Sequence, residues 1–272
     1  MKAVILAAGQ GTRLRPLTNH LPKCLVQVHG KPLLQYQLES LEQAGVQHCV
    51  IVVGYLGDLV QRHFGPRLGN VRITYVTNEI FNHTNNIYSL WLARQELNDD
   101  ILLLEGDLLF EEGLLGDLIQ SPYTDVAVVD RFNSSMNGTV ILAQEGLSTS
   151  MILGAQQSAD FDYRNALKTV NIYGFSRETL AQQFLPILDQ YIDHGLTGEF
   201  YEAVISYLIA SGDLQMAVHL TGIRRWTEID TEDDLRQAER LFPGHPLGSY
   251  ADRGGVGVRE GLDTRTAPTD SI

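Results

Sequence analysis

The sequence contains little cysteine and no long apolar segment, and both absences narrow the class of protein. Cys24 and Cys49 are the only cysteines and form no C-x-x-C pair, which argues against a disulfide framework or a zinc cluster. No uninterrupted apolar run approaches the ~20 residues that a membrane helix needs. The first apolar run, AVILAA, meets a glycine too early for a secretory signal. We therefore expect a cytoplasmic protein with no membrane partner.

A broad basic surface is also missing. The formal net charge is −13, whereas a nucleic-acid-binding surface must neutralise several phosphates, so nucleic acid is not an expected partner. Acidic residues are nevertheless absent from the first 38 positions, and the first one is Glu39. This acid-free stretch contains five cations, namely Lys2, Arg13, Arg15, Lys23 and Lys31. Charge segregated in this way predicts a local site for a small anion.

Short apolar runs alternate with amphipathic stretches over most of the chain. HCVIVVGY and DILLLEGD are typical of buried strands, and PLLQYQLESLEQAG and IYSLWLARQEL are typical of helices. This order predicts an α/β fold with a Rossmann-like, mostly parallel sheet and helices on both faces. We expect one domain over residues 1–242, in which about 126–219 are an insertion into the same sheet. Residues 243–272 are rich in Gly, Asp, Arg, Thr and Pro, a composition typical of a disordered tail.

The loop after the first apolar run has the pattern G-x-G-x-R. Gly9 and Gly11 allow a sharp turn whose N–H groups can converge on phosphate oxygens. A dinucleotide fingerprint is disfavoured because Leu14 stands where its third glycine belongs and because the acid-free stretch continues to Glu39. A Walker A loop is disfavoured because Thr12 and Arg13 follow Gly11. The pattern that remains is a glycine turn followed by Arg13 and Lys23, which together can neutralise a triphosphate.

The stretch LAAGQGTRLRPLT, followed by LPKCLVQVHGKPLL, resembles the signature of nucleotidyltransferases that activate sugar phosphates and related phosphomonoesters. The resemblance implies the nucleotide-diphospho-sugar transferase fold. It also implies that a nucleoside triphosphate is joined to a phosphorylated acceptor with release of pyrophosphate, and that Arg13 and Lys23 act in catalysis. The nucleotide-binding residues expected on this basis are Leu6, Ala7, Ala8, Gly9, Gly11, Thr12, Arg13, Lys23, Gly54, Tyr55 and Asn85.

Later segments resemble one branch of these enzymes. IVVGY, HTNNIYSLWLA and LLEGDLLF resemble cytidylyltransferases that include bacterial choline-phosphate cytidylyltransferases, and LKTVNIYGFSRE, GEFYEAVISYLI and WTEIDTEDDL resemble modules of phosphonate pathways. The branch implies CTP as the nucleotide, and choline phosphate or an aminoalkyl phosphonate as the acceptor, bound by the inserted region. It is compatible with a homodimer. Two alternatives stay open: a sugar-1-phosphate nucleotidyltransferase that uses GTP, dTTP or UTP, and a catalytically silent nucleotide-binding regulatory module.

Two aspartates are expected to bind Mg²⁺, which prefers one or two carboxylates together with substrate phosphates and water. Asp107 ends the apolar run ILLLEGD, where the exit of a strand brings it to the ligand edge of the sheet. Asp230 has the corresponding place in WTEID, and both match the metal-binding aspartates of the family. The structural alternatives are a turn aspartate at Asp107 and a residue at the start of a helix at Asp230.

The expected acceptor-binding residues also have simpler structural alternatives. Asn85 and Asn86 precede a helical stretch, and one of them can cap it. Lys168 is expected to hold the acceptor phosphate, although a lysine on a strand is by default a solvated charge. Glu199 and Glu202 are expected to face a positive group of the acceptor, although Glu199 also suits the start of a helix. The complete predicted set is Asn86, Lys168, Tyr173, Glu199 and Glu202.

Overall fold

The computed structural model of the chain describes residues 1–242, and the predicted tail at 243–272 lies outside the described residues. The strands of the described part are β1 (Lys2–Ala7), β2 (Gln27–Val28), β3 (Lys31–Pro32), β4 (His48–Val53), β5 (Arg67–Leu68), β6 (Val71–Thr77), β7 (Ile101–Glu105), β8 (Leu108–Phe110), β9 (Val126–Arg131), β10 (Val140–Gln144), β11 (Leu147–Ile152), β12 (Leu167–Phe175), β13 (Ala217–Leu220) and β14 (Trp226–Glu228). The α-helices are α1 (Leu33–Gln43), α2 (Gly57–Phe64), α3 (Asn86–Leu92), α4 (Leu114–Ile119), α5 (Arg177–Thr179), α6 (Leu185–Asp193), α7 (Glu202–Ser211) and α8 (Glu232–Leu241).

Ten of these strands form one sheet, in the order β10-β11-β13-β9-β12-β7-β1-β4-β6-β5. The neighbours β7, β1, β4 and β6 are parallel, as their continuous apolar sequences predict. Beyond β7 the strands are no longer all parallel, because β12 runs antiparallel to both β7 and β9. The α/β class is therefore confirmed, but the sheet is mixed rather than mostly parallel.

Helices cover both faces of the sheet, as predicted. On one face, Leu34 and Leu38 of α1 pack in the same cluster as the β1 residues Ala3 and Ile5. On the other face, α3, α6 and α7 pack against Val4 and other residues that alternate along the same strands. This alternation follows from the two-residue period of a strand, and it buries β1 from both sides. No helix in residues 1–242 has the length and hydropathy that crossing a membrane requires.

The strands of the region 126–219 join the same sheet as the parallel strands. Strand β12 begins at the edge where β7 ends, since Tyr173 lies opposite Leu103 in their antiparallel register. The pairing of β12 with β9 shifts register between Thr169 and Tyr173, and Asn171 within this irregularity has a positive φ of 59°. Such bulges redirect side chains and are common beside functional sites. The carboxyl edge of the parallel strands thus receives residues from both halves of the sheet.

Candidate active site

A cavity of about 310 Å³ opens at the carboxyl edge of β1 and β7. Most of the residues that the sequence predicted for nucleotide and metal line it, together with one acceptor residue: Leu6, Ala7, Ala8, Gly9, Gly11, Thr12, Arg13, Lys23, Asn85, Asn86, Asp107 and Asp230. The structure therefore brings together residues from three distant parts of the chain.

The glycine loop has a conformation that its sequence requires. Gly11 has a φ of +60°, and a Cβ atom there would lie 3.0 Å from the Cβ of Lys23. The carbonyl of Gly11 accepts hydrogen bonds from the Thr18 hydroxyl, at 2.7 Å, and from the backbone N–H of Leu14, at 3.0 Å. Glycine is needed at this position because an L side chain would be strained at this φ and would displace Lys23.

Gly54 and Tyr55 do not line the cavity. They lie behind the glycine loop, where the backbone N–H of Tyr55 donates to the carbonyl of Ala8 at 3.0 Å. A Cβ atom at Gly54 would lie only 2.8 Å from that same carbonyl oxygen. The Tyr55 hydroxyl donates to the carbonyls of Thr18 and Asn19. These two residues therefore support the loop and do not reach into the cavity itself.

Lys23 lies between the two predicted metal-binding aspartates. Its Nζ is 2.5 Å from Asp107 Oδ2 and 2.6 Å from Asp230 Oδ1, and Arg13 Nη2 is 2.8 Å from the same Asp230 oxygen. Burial alone would lower the pKa of Lys23, but the attraction of the two carboxylates outweighs burial and holds the pKa above its ordinary value. Lys23 is therefore charged at neutral pH.

One carboxylate oxygen of the aspartate pair is left without a partner. Asp107 Oδ1 is buried and has no hydrogen-bond partner, while its other oxygen binds Lys23. No group of three or more His, Cys, Asp or Glu suited to a metal occurs within residues 1–242. Two carboxylates with an unpaired oxygen fit Mg²⁺, which takes its remaining ligands from phosphates and water. Asp230 is not the helix cap, because Thr231 caps α8 by accepting from the N–H of Asp234.

Asn85 and Asn86 have different positions. Asn85 caps α3, since its side chain accepts a hydrogen bond from the backbone N–H of Asn86. The Asn86 side chain instead joins two chain segments: its Nδ2 donates to Glu105 Oε1 at 3.0 Å, and its Oδ1 accepts from the backbone N–H of Tyr201 at 2.9 Å. Asn86 therefore connects the cavity wall to a buried polar region beneath it.

Four predicted acceptor residues lie outside the cavity lining. Lys168 is not a solvated charge: it is buried, donates to the carbonyl of Thr169 at 2.7 Å and lies 3.8 Å from Glu228 Oε2. Tyr173 and Glu202 are also buried, whereas Glu199 is exposed. Three of these four predicted acceptor residues are therefore buried in the protein, and the fourth is at its surface.

Two half-buried carboxylates that sequence reasoning missed, Glu105 and Glu228, lie near this buried group. Burial, reinforced by Asp107, Glu202 and Glu228, raises the pKa of Glu105 well above its ordinary value. Burial raises the pKa of Glu228 to about 7, against the opposing effect of Lys168. Glu105 is the last residue of β7 and lies two positions before Asp107. Its place at a strand end, next to a predicted metal ligand, could have identified it from the sequence as a site residue.

The other cavity residues that the sequence analysis missed are Cys24, Asn78, Phe81, Thr84, Ser89, Gly106 and Phe200. Asn78 directly follows β6. Residues at the carboxyl ends of parallel strands reach the ligand edge of the sheet, and this argument, which predicted Asp107, also applies to Asn78. Its amide donates to the hydroxyls of Thr84 and Ser89, at 3.1 and 3.0 Å. Phe200 has no comparable sequence signal, because its place in the wall depends on how the segment before α7 meets the first half of the sheet.

Comparison with known proteins finds relatives whose names specify several different nucleotides. Residues 2–125 match the family model described as Nucleotidyl transferase. The chain is 36% identical over 244 residues to CMP-5'-(3-aminopropyl)phosphonate synthase of Streptomyces rubellomurinus, a match that covers 89% of this chain and 39% of the relative. It is 43% identical over 129 residues to choline-phosphate cytidylyltransferase of Streptococcus pneumoniae, covering 46% of this chain and 53% of that enzyme.

A solved structure has the same fold. The structure of CTP:phosphocholine cytidylyltransferase from Streptococcus pneumoniae superposes with a TM-score of 0.71 at 26% identity, covering 88% of this chain and 98% of that one. The matches to the two curated relatives above span about two fifths and about half of their lengths.

Proposed function

We propose that the protein is a cytidylyltransferase, because residues 2–125 match the nucleotidyl transferase family model and two relatives bear cytidylyl or CMP names. In the proposed reaction, CTP is joined to a small phosphorylated or phosphonylated acceptor and pyrophosphate is released. The observation that carries the proposal is the position of Lys23, which lies at hydrogen-bonding distance from Asp107 and Asp230 in a cavity walled by the glycine loop. The choice of CTP rests on the relatives, two of which bear names that specify CMP or cytidylyl chemistry.

The glycine loop and its cations suit a triphosphate. The Arg13 side chain is 67% exposed and pairs with Asp230, so its planar guanidinium can turn to phosphate oxygens. Lys23 is held against two carboxylates and provides a fixed positive charge beside them. In this arrangement Arg13 and Lys23 oppose the negative charge that develops on the α-phosphate and on the leaving pyrophosphate.

Asp107 and Asp230 would hold Mg²⁺, which supplies charge neutralisation of the phosphates when it is bound. The acceptor needs no catalytic base, because a phosphomonoester or phosphonate oxygen is already negatively charged near neutral pH. That oxygen forms a bond to the α-phosphorus of the nucleotide as the bond to the β-phosphate oxygen breaks. The protein contributes by positioning the two anions in line and by excluding alternative orientations.

Pyrophosphate release provides the direct test. The protein is assayed with each of CTP, UTP, GTP, dTTP and ATP against choline phosphate, 2-aminoethylphosphonate, 3-aminopropylphosphonate and glucose 1-phosphate, with Mg²⁺ and again with excess EDTA. The proposal expects release with CTP and an amine-bearing acceptor, and loss of release in EDTA. D107N should be inactive, whereas the control D117N, which alters an exposed aspartate paired with Arg224, should retain activity.

Three results would contradict the proposal. Release with glucose 1-phosphate and UTP, GTP or dTTP would indicate a sugar-1-phosphate nucleotidyltransferase. Nucleotide binding without release for any acceptor would favour a regulatory module. Full activity of D107N with Mg²⁺ would remove the metal assignment.

A further inference from the structure

A cavity of about 620 Å³ opens at the amino edge of the parallel strands, opposite the candidate active site. It lies where β1, β4 and β6 begin, and β5 contributes to its wall. We call it the amino-edge pocket, and its basic residues are Lys2, His48, Arg67 and Arg72. A strand rises about 3.3 Å per residue, so β1 separates this pocket from the glycine loop by roughly 15–20 Å. The two cavities have no lining residue in common.

The four basic residues form one row across four neighbouring strands. Arg67 of β5 lies opposite Arg72 of β6, and Arg72 lies opposite His48 of β4. Lys2 of β1 continues the row, since the register of β1 with β4 places it beside His48. Residues opposite one another in a sheet project from the same face, so these side chains are neighbours. In a chain of net charge −13, this row concentrates positive charge at one place.

The two arginines of the row lack carboxylate partners. Lys2 is paired with Glu96 at 3.0 Å, and Asp99 is paired with the amino group of Met1 at 3.2 Å. Within residues 1–242, neither Arg67 nor Arg72 forms an ion pair. Like charges directly opposite each other in a sheet are destabilising. The free protein therefore keeps an unfavourable pair of guanidinium groups at the mouth of a cavity.

His48 orients one of these guanidinium groups. Burial and the charges of Arg72 and Lys2 lower the pKa of His48, so its imidazole is neutral at neutral pH. Its Nδ1 accepts a hydrogen bond from Arg72 Nη2 at 3.2 Å, and its Nε2 donates to Thr74 Oγ1 at 2.9 Å. Arg72 is thus held in place by a neutral group, and its positive charge stays available to a ligand.

We infer that the amino-edge pocket is a second anion site, which binds a compound with two linked phosphoryl groups between Arg67 and Arg72. Each planar guanidinium offers a fork of N–H donors that matches one phosphoryl group, so two adjacent forks match two. The charge of such a ligand also removes the repulsion between the arginines. Free pyrophosphate and the polyphosphate of a nucleotide share this chemistry. The inference does not depend on the proposed function.

Isothermal titration calorimetry with pyrophosphate, in the presence of EDTA, measures the binding. The double substitution R67Q/R72Q should weaken binding at this pocket by at least about 100-fold, because hydrogen bonds from a charged donor contribute about 10-fold or more for each guanidinium. R13Q alters only the glycine loop and should leave this binding unchanged. The control R62Q removes an exposed arginine of α2 that does not line the pocket, and it should bind pyrophosphate as the unaltered protein does.

The imidazole of His48 locates the ligand, because it contacts Arg72 and lies far from the glycine loop. In proton–carbon correlation NMR spectra, its signal is assigned by its absence from H48Q. The signal should shift when pyrophosphate is added to the unaltered protein or to R13Q, and it should not shift in R67Q/R72Q. Parallel titrations use CTP and inorganic phosphate. Tighter binding of CTP identifies a nucleotide as the ligand and tighter binding of pyrophosphate identifies the free anion, whereas inorganic phosphate meets one fork and should bind at least about 10-fold more weakly.

Four results would overturn the inference. They are equal affinity of the unaltered protein and R67Q/R72Q for pyrophosphate, an equal loss of affinity in R62Q, a His48 signal that does not move, and inorganic phosphate that binds as tightly as pyrophosphate. The thermal unfolding temperature of R67Q/R72Q excludes misfolding as the cause of lost binding. If this temperature is lower than that of the unaltered protein, R67Q replaces the double variant, since the Arg67 side chain makes no hydrogen bond within residues 1–242. R67Q alone should weaken binding by about 10-fold.

Discussion

Replacing Lys23 with methionine removes the charge that separates Asp107 from Asp230 while preserving most of the side-chain volume. Breaking a fully buried ion pair costs about 3–5 kcal/mol, because the remaining partner loses its compensation. Here the side-chain exposures are 14% for Lys23, 19% for Asp107 and 26% for Asp230, so water relieves part of that cost. Arg13 also stays on Asp230. We therefore expect K23M to lower the free energy of unfolding by about 1–3 kcal/mol.

The assay is thermal unfolding with and without Mg²⁺. A loss of about 2 kcal/mol corresponds to a decrease in Tm of roughly 4–8 °C for a domain of this size. The uncompensated carboxylates of K23M should bind Mg²⁺ more tightly than those of the unaltered protein, so Mg²⁺ should raise its Tm more. Stabilisation of about 1.4 kcal/mol is expected when Mg²⁺ is present at ten times its Kd.

Lys31 provides the matched control. It pairs with Glu39 at 2.7 Å with comparable exposure, and neither residue lines the cavity. K31M should also be destabilised, but Mg²⁺ should not restore its stability selectively. The reasoning is refuted if K23M unfolds at the same temperature as the unaltered protein, or if Mg²⁺ stabilises K23M and K31M equally.

Three further changes have defined outcomes. G54A brings a Cβ atom to 2.8 Å from the Ala8 carbonyl oxygen and should lower the free energy of unfolding, measured with urea, by about 1–3 kcal/mol. The control G116A, whose Cβ would meet nothing within 4 Å, should be neutral or slightly stabilising. Equal effects of the two substitutions would exclude the close approach at Gly54 as the cause. D107N should lower kcat at least about 100-fold with the circular dichroism spectrum unchanged, and a change in KM alone would contradict a role in the chemical step. Burial raises the pKa of Glu202, so the folded protein retains a proton that the unfolded chain releases, and stability falls as the pH rises above the ordinary carboxyl range. The Tm of E202Q relative to the unaltered protein should therefore increase between about pH 5 and about pH 8, and a constant difference would refute the burial of a titrating carboxyl.

The part of the site that sequence could predict is local in the chain. The glycine loop, Arg13 and Lys23 lie within fifteen positions of Gly9, so their spacing alone indicates a phosphate site. Asp107 could be predicted because it follows a continuous apolar strand of the parallel half of the sheet. The α/β class and the helices on both faces follow from the same alternation of apolar runs.

The part that sequence could not predict depends on contacts between distant segments. Strand β11 contains the polar sequence LSTSMI, and its place in the sheet comes from antiparallel pairing with β10 rather than from its own hydropathy. Glu105 and Glu228 have ordinary sequence contexts, and their mutual proximity arises only because β7 and β14 reach the same edge. The structural alternative for Lys168, a solvated charge, fails for the same reason, because β12 lies between β7 and β9 and Lys168 is buried there.

The ion pair between Lys23 and Asp230 joins residues that are 207 positions apart in the sequence, so its two members are synthesised at different times. During synthesis the glycine loop leaves the ribosome long before β14, which must pair with β8 to bring Asp230 to the cavity. Until then Lys23 has Asp107 as its one carboxylate partner, and the edge of β8 is without its neighbour. A nascent chain therefore carries the loop without the complete site until β14 has been synthesised and has paired with β8.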